Sequence, residues 1–134
     1  MTGRFLSFEG PDKAGKSTQI QLFAQHLQAK GIPFLLTREP GGCPVSEKIR
    51  DLILAPENEM GDLCEALLYA ASRSELVRTV IRPALARGTW VICDRYVDSS
   101  IAYQGYGRGL GEETIRRIND LATGCLRPDL SFYF

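Results

Sequence analysis

Eight residues near the N-terminus, Gly10-Pro11-Asp12-Lys13-Ala14-Gly15-Lys16-Ser17, fit the spacing G-x-x-x-x-G-K-[ST]. The chemistry behind that spacing is anion capture. Glycines let successive backbone N–H groups turn inward around a phosphate, and the positive end of the helix that follows strengthens the field. Residues Gly10, Pro11, Asp12, Lys13, Ala14, Gly15, Lys16, Ser17 and Thr18 are therefore the expected ATP-binding set. Lys16 is placed to reach the β- and γ-phosphate oxygens, and the Ser17 hydroxyl to ligate Mg²⁺. A chance Gly-Lys-Ser turn is the bland alternative, but the motif demands a strand before it and a helix after it, and both patterns are present. Lys13 adds a cation inside the loop. It is either a solvated lysine or an in-chain charge that stabilises the phosphoryl group in transit, as an arginine finger does.

A triphosphate loop alone does not separate kinases from switches and motors. Further polar clusters stand where other strands end. Arg38-Glu39-Pro40-Gly41-Gly42 follows one strand, Asp94-Arg95-Tyr96 follows another, and Arg73 lies on a long helix. Each arginine taken alone is more often a surface or salt-bridge residue. Together, Arg38, Arg73 and Arg95 can converge on one anion, each with a planar fork that matches phosphate oxygens. Tyr69 and Arg73 are four apart and share a helix face, so an aromatic plate stands beside a guanidinium. Asp94, at a strand end, suits Mg²⁺ held through water, or the anchoring of the arginines. Ser99, Ser100, Tyr103 and Gln104 bring hydrogen-bonding groups just after it, and a Gln both donates and accepts, which suits a base edge. His26, the only histidine, sits inside the first helix and reads as a solvated or packing residue.

The elements that position these groups alternate. Strands are expected over 4–9, 33–37 and 89–93, the last ending on Asp94, with a fourth over 130–134. A helix starts at Lys16, with Ile20, Phe23, Ala24 and Leu27 in one stripe, and stops near Gly31. A short helix sets Val45, Ile49, Leu52 and Ile53 on one side and breaks before Pro56. A long one covers 62–82 and ends at Pro83 or somewhat after it. A last one, 112–122, lines up Ile115, Ile118, Leu121 and Ala122 and closes at Gly124. Uniformly apolar strands alternating with helices indicate an α/β fold with a parallel sheet covered on both faces. In such sheets ligands bind at the carboxyl ends of the strands, where the polar clusters lie.

The 134 residues fit a single domain, 44% hydrophobic, 24% charged and 9% aromatic. Sixteen basic residues offset sixteen acidic ones, so no positive excess favours a nucleic-acid partner. No apolar run is long enough for a bilayer and no signal-peptide core begins the chain. Membrane, secreted and disordered classes are therefore not expected. Cys43, Cys64, Cys93 and Cys125 form no CxxC pair, which argues against zinc and fits reduced thiols in a cytoplasmic protein.

Five ordered stretches, Phe8-Glu9-Gly10 leading into the loop, Thr37 to Gly42, Leu68 to Arg73, Asp94-Arg95-Tyr96 and Ser99 to Gly105, resemble the thymidylate kinase family across essentially the whole chain. The resemblance implies a P-loop NTPase-type three-layer fold of the nucleoside monophosphate kinase kind. It also implies transfer of the γ-phosphoryl of ATP to dTMP with Mg²⁺, in a homodimer. By the same match Tyr69 falls where an aromatic ring stacks on thymine. Arg73 and Arg95 fall where the dTMP phosphate is gripped, with Arg38 close by. Ser100 and Gln104 fall near the base edge, Tyr103 where a ring crowds the sugar 2′ position, and Asp12 near the 3′-hydroxyl. Many bacterial relatives carry Gly at the position of Lys13 and place catalytic cations on a mobile lid, whereas others carry Arg in the loop, so both sources of charge stay open. Family members also continue well past Phe134, through the lid. The chain is thus expected to be a fragment, one that binds phosphate with or without turnover. Two rivals remain: another P-loop kinase of nucleosides or nucleoside monophosphates, and a non-catalytic nucleotide-binding switch. The absence of a guanine-binding Asn-Lys-x-Asp motif weighs against the latter.

Overall fold

The computed structural model describes residues 3–134. Four strands, β1 (Phe5–Glu9), β2 (Phe34–Arg38), β3 (Trp90–Asp94) and β4 (Leu130–Tyr133), form one sheet in the order β2-β3-β1-β4. All three pairings are parallel, with Phe5 opposite Val91, Leu6 opposite Leu130, and Phe34 opposite Trp90. The observed strands begin or end one residue from the expected bounds, and Arg4 lies outside β1. Parallel strands cannot be joined by tight hairpins, so each pair is bridged by helical chain.

Those bridges are α1 (Lys16–Ala29), α2 (Pro44–Leu54), α3 (Asp62–Leu76), α4 (Arg82–Ala86), α5 (Val97–Ser100) and α6 (Glu112–Thr123). The long helical run passes Arg82 without a break. A π-helical turn, Val77–Ile81, joins α3 to α4 immediately before Pro83. A proline inside an α-helix lacks its N–H and clashes with the carbonyl four residues back, and a wider turn is the local remedy. A second π segment, Ile101–Gly107, extends α5.

Side chains alternate across the sheet, so each strand feeds two cores. On one face Phe5, Val91 and Cys93 pack with Leu76, Val77, Ile81, Ala84 and Tyr96. On the other, Leu6, Phe8 and Ile92 pack with Ile20 and Leu27 of α1, as the stripe on α1 predicts. The result is the three-layer α/β arrangement expected from the alternation of elements. Asp129 ties β1 to β4 by accepting the Phe5 N–H at 2.8 Å, and Ser7 and Ser131 share a hydroxyl contact at 2.7 Å.

Two helix faces differ from expectation. On α6 the buried positions are Ile115, Asn119 and Thr123, whereas Leu121 is 87% exposed. The spacing i, i+4, i+8 is intact, but two of its members are polar: Asn119 meets the buried Arg73 guanidinium, and the Thr123 hydroxyl donates to the Asn119 carbonyl at 2.8 Å. On α2 the inward residue is Ser46, and Val45 and Leu52 are about half exposed. Ser46 fits there because its hydroxyl donates to the Ser72 carbonyl of α3 at 2.7 Å. Truncating Ile92, at 0% exposure in the central strand, is expected to cost about 2–5 kcal/mol. Leu121→Ala should stay within about 0.5 kcal/mol. Urea unfolding of the two variants checks this; an equal loss from both would contradict the burial.

Candidate active site

The carboxyl ends of β1, β2 and β3 form one rim, and the loop from Gly10 to Ser17 rises from the first of them. Gly15 caps α1 at φ +90°, and Gly10 runs at φ +142° against Phe134, where a Cβ would come within 2.9 Å of a carbonyl oxygen. Both positions require glycine. Lys13 also takes a left-handed backbone, φ +66°, which leaves its side chain exposed on the loop. The loop lines a cavity of about 420 Å³ with Asp12, Lys13, Lys16, Ser17, Thr18 and Asp94 on its wall.

Lys16 is the one buried member of the loop, at 5% exposure. Its ammonium meets the Asp94 carboxylate at 2.8 Å and donates to the Gly10 carbonyl at 3.1 Å. Asp94 ends β3 while Lys16 opens α1, so the sheet itself brings the expected metal-side carboxylate to the expected phosphate-binding lysine. Ser17, beside them, also lines a third cavity with Thr37, Arg38 and Gly42.

A second cavity, about 450 Å³, adjoins the loop. Asp12, Glu39, Tyr69, Arg73, Arg95, Ser100, Tyr103 and Gln104 all line it. Seven of these eight, all but Glu39, were expected from the sequence and its resemblance to surround one nucleotide, with Arg73 and Arg95 as its clamp. Asp12 lines both cavities, so they meet at that residue. Arg95 takes φ +74°, a backbone conformation that costs a non-glycine residue on the order of 1–2 kcal/mol. Its amide donates to the Phe8 carbonyl of β1 at 3.0 Å, and the turn carries the guanidinium to Asp12 at 2.9 Å and over the Tyr103 ring at 5.7 Å.

Arg73 is differently placed. It is 2% exposed, and its guanidinium is fixed from four sides. Nε donates to Glu39 at 2.5 Å, Nη1 to Ser100 Oγ at 3.0 Å and Asn119 Oδ1 at 2.6 Å, and Nη2 to the Tyr96 carbonyl at 3.1 Å. Four of the five N–H donors of an arginine are thereby engaged, leaving one on Nη2. Burial pushes the Glu39 carboxyl up to about 7, against the pull of Arg73. Burial also pushes the half-buried Tyr69 phenol upward, with Glu65 adding to the rise.

Arg38 does not join them. Its guanidinium lies on the surface against Glu47 at 2.7 Å and faces the third cavity. The reason is strand alternation: Glu39 turns inward after β2, so its neighbour turns out and is captured by the first turn of α2. Of the three arginines expected to converge, Arg73 and Arg95 line this cavity and Arg38 does not. Sequence reasoning missed Glu39 as a buried partner, and also Asn119, Glu65 and Arg108. Glu65 reaches Arg108 at 3.3 Å and Gln104 at 3.4 Å across the cavity mouth. The polar members of the α6 stripe were the available signal for Asn119.

A family model described as thymidylate kinase matches residues 8–134. The thymidylate kinase of Exiguobacterium sibiricum is 54% identical over 135 residues, which cover 100% of this chain and 64% of that protein. The thymidylate kinase of Lactobacillus helveticus is 56% identical, covering 99% of this chain and 64% of that one. A crystal structure of thymidylate kinase from Ehrlichia chaffeensis superposes with a TM-score of 0.90 at 39% identity, covering 99% of this chain and 75% of that chain. The chain therefore spans 64% of the length of these two curated relatives.

The Glu39 shift makes a pH prediction. Its folded pKa lies above the ordinary 4.5, so its contribution to stability is full below pH 4.5 and is lost as pH rises through about 7. The unfolding free energy of the chain minus that of Glu39→Gln should fall on the order of 3 kcal/mol across that window. Urea titrations at a series of pH values measure it, and a flat difference would refute the shift.

Proposed function

The chain belongs to the thymidylate kinase family, and from that premise we propose that it carries the donor and acceptor sites of a kinase that moves the γ-phosphoryl of ATP to dTMP, giving ADP and dTDP. The observation that carries this reading is Asp12 standing in the wall of both cavities with Arg95 beside it. Two anions seated in adjoining cavities would meet there, end to end.

In this reading the 10–18 loop holds ATP, with Lys16 exchanging Asp94 for the β- and γ-phosphates. Lys13, exposed on the loop, supplies a charge for the transferring group. The dTMP phosphate is its own nucleophile, already ionised near neutral pH because its second pKa is about 6. No general base is required, and catalysis is positioning plus charge stabilisation. Arg95 takes the acceptor phosphate. Its carboxylate partner Asp12 is 89% exposed and therefore displaced at little cost.

Arg73, expected to share that phosphate, suits the base end better. Glu39 already offsets its charge, and its remaining N–H is a donor for a pyrimidine carbonyl. Tyr69 then lies against the base, Ser100 and Gln104 near its edge, and Tyr103 by the sugar beneath Arg95. Mg²⁺ fits the hard oxygen donors Ser17 and Asp94, both on the wall of the donor cavity. When bound it would neutralise charge on the β- and γ-phosphates.

No helix among the described residues is long and apolar enough to cross a membrane, and all four cysteines are free. A cytoplasmic setting, where ATP and thiols coexist, is proposed on that chemistry. A homodimer is supported by the half-exposed leucines of two helices packed on each other: Leu52 on α2, and Leu63 and Leu67, one turn apart on α3. Leu67→Glu should shift the species seen by sedimentation from dimer to monomer.

ADP release measured with dTMP, dUMP, dCMP, AMP and GMP tests the substrate. dTMP should lead, and ATP binding without dTMP-dependent release would favour a non-catalytic module. Lys16→Ala should lower turnover at least about 100-fold. Arg95→Ala should raise KM for dTMP about tenfold or more with little change for ATP; equal effects on both would remove Arg95 from the acceptor side.

A further inference from the structure

Every guanidinium in the wall of the acceptor cavity has a carboxylate partner: Arg95 with Asp12, Arg108 with Glu65, and Arg73 with Glu39. The first two pairs are open to water, with Asp12 at 89% and Arg108 at 54% exposure. An incoming phosphate can displace such a carboxylate cheaply. The third pair is sealed: Glu39 and Arg73 are each 2% exposed at the side chain. Arg73 is also held by Ser100, Asn119 and the Tyr96 carbonyl, so it cannot swing away from its partner. Glu39 Oε2 has no hydrogen-bond partner among the described residues. The carboxylate is thus committed to one neighbour, and above about pH 7, where Glu39 is ionised, the cavity wall there presents a donor without a net charge.

We infer that Glu39 is a positioning residue that sets base specificity: by cancelling the charge of Arg73 it makes the cavity select an uncharged pyrimidine over an anionic one. The inference rests on the reading of this cavity as the dTMP site. A guanidinium left unpaired in a half-dry wall would attract a base that has lost its N3 proton, because Coulomb forces strengthen as water is excluded. Paired with Glu39, it offers a carbonyl oxygen one directional hydrogen bond instead. Behind this wall, in a neighbouring cavity, the Glu9 carboxylate accepts from the Tyr96 N–H at 3.3 Å and the Ser99 hydroxyl at 2.6 Å. It adds negative potential and works in the same direction.

The test uses dUMP and 5-fluoro-dUMP, whose bases are nearly the same shape. Fluorine acidifies N3, so at about pH 8.5 the base of 5-fluoro-dUMP is largely anionic while that of dUMP is not, and Glu39 is ionised. Calorimetric titration of the unaltered chain should show dUMP bound more tightly than 5-fluoro-dUMP. In Glu39→Gln, which keeps an oxygen for Arg73 Nε and removes the charge, the affinity ratio should move at least about tenfold toward 5-fluoro-dUMP. Glu39→Asp should keep the original order. A purely structural role would weaken both ligands alike, and an unchanged ratio in Glu39→Gln overturns the inference. Should that variant not fold, tighter binding of 5-fluoro-dUMP by the unaltered chain overturns it on its own, and the expected order supports it. dTMP is titrated alongside. Failure of the unaltered chain to bind dTMP removes the reading of the cavity and this inference with it, whereas dTMP binding with an unchanged ratio removes the inference alone.

Discussion

The buried ion pair between Arg73 and Glu39 is the constraint around which the site is assembled. Its members come from α3 and the end of β2, and the guanidinium also holds α5 through Ser100, α6 through Asn119, and the turn after β3 through the Tyr96 carbonyl. The Arg73 carbon lies 5.4 Å from the centre of the Tyr96 ring, and that ring packs edge-on against Phe5 of β1. Sealing two charges away from water is costly unless their remaining hydrogen-bonding groups are met. Here the guanidinium is nearly satisfied, and the cost remains on the carboxylate, whose pKa is pushed up to about 7. The gain from such a pair is definition of geometry: it allows one arrangement of five chain segments around the second cavity.

The rim is built on a different principle. At the phosphate loop and at Arg95 the backbone carries the strain, with Lys13 and Arg95 both in the left-handed region. Lys13 is exposed and Arg95 partly so, and the Asp12 partner of Arg95 lies open to water. Asp94 and Asp12 are the counter-ions of Lys16 and Arg95, and in the proposed reading they give way to the phosphates of the ligands. The same cavity therefore joins a rigid, charge-balanced floor to an adjustable, cationic edge. In the proposed reading the floor sorts the base and the edge handles phosphate.

The sheet order explains why distant residues meet. With β1 in the interior between β3 and β4, the loop after β1 stands beside the turn after β3, and Lys16 reaches Asp94 although 78 positions separate them in the chain. The turn after β2 is one strand further out. That spacing leaves Glu39 within reach of Arg73 on α3, while Arg38 faces the solvent and the side of α1.

Much of this was legible in the residues themselves, because local chemistry determines it. The glycines and lysine of the 10–17 loop, the apolar strands and the stripe on α1 each have one physical use, and they specify a parallel α/β sheet with an anion site on its rim. The strand end at Asp94 also pointed to Arg95, Ser100, Tyr103 and Gln104 as neighbours of a second ligand, and the four-residue spacing to Arg73 pointed to Tyr69. What sequence could not settle was direction and pairing. Whether Arg38 or Glu39 turns inward depends on which face of β2 meets α3. Leu121 and Asn119 are two positions apart on one helix, and only the presence of the Arg73 guanidinium beneath α6 buries the polar one and exposes the apolar one. Residue types declare what a side chain can do; the charge it is paired with is decided by long-range packing.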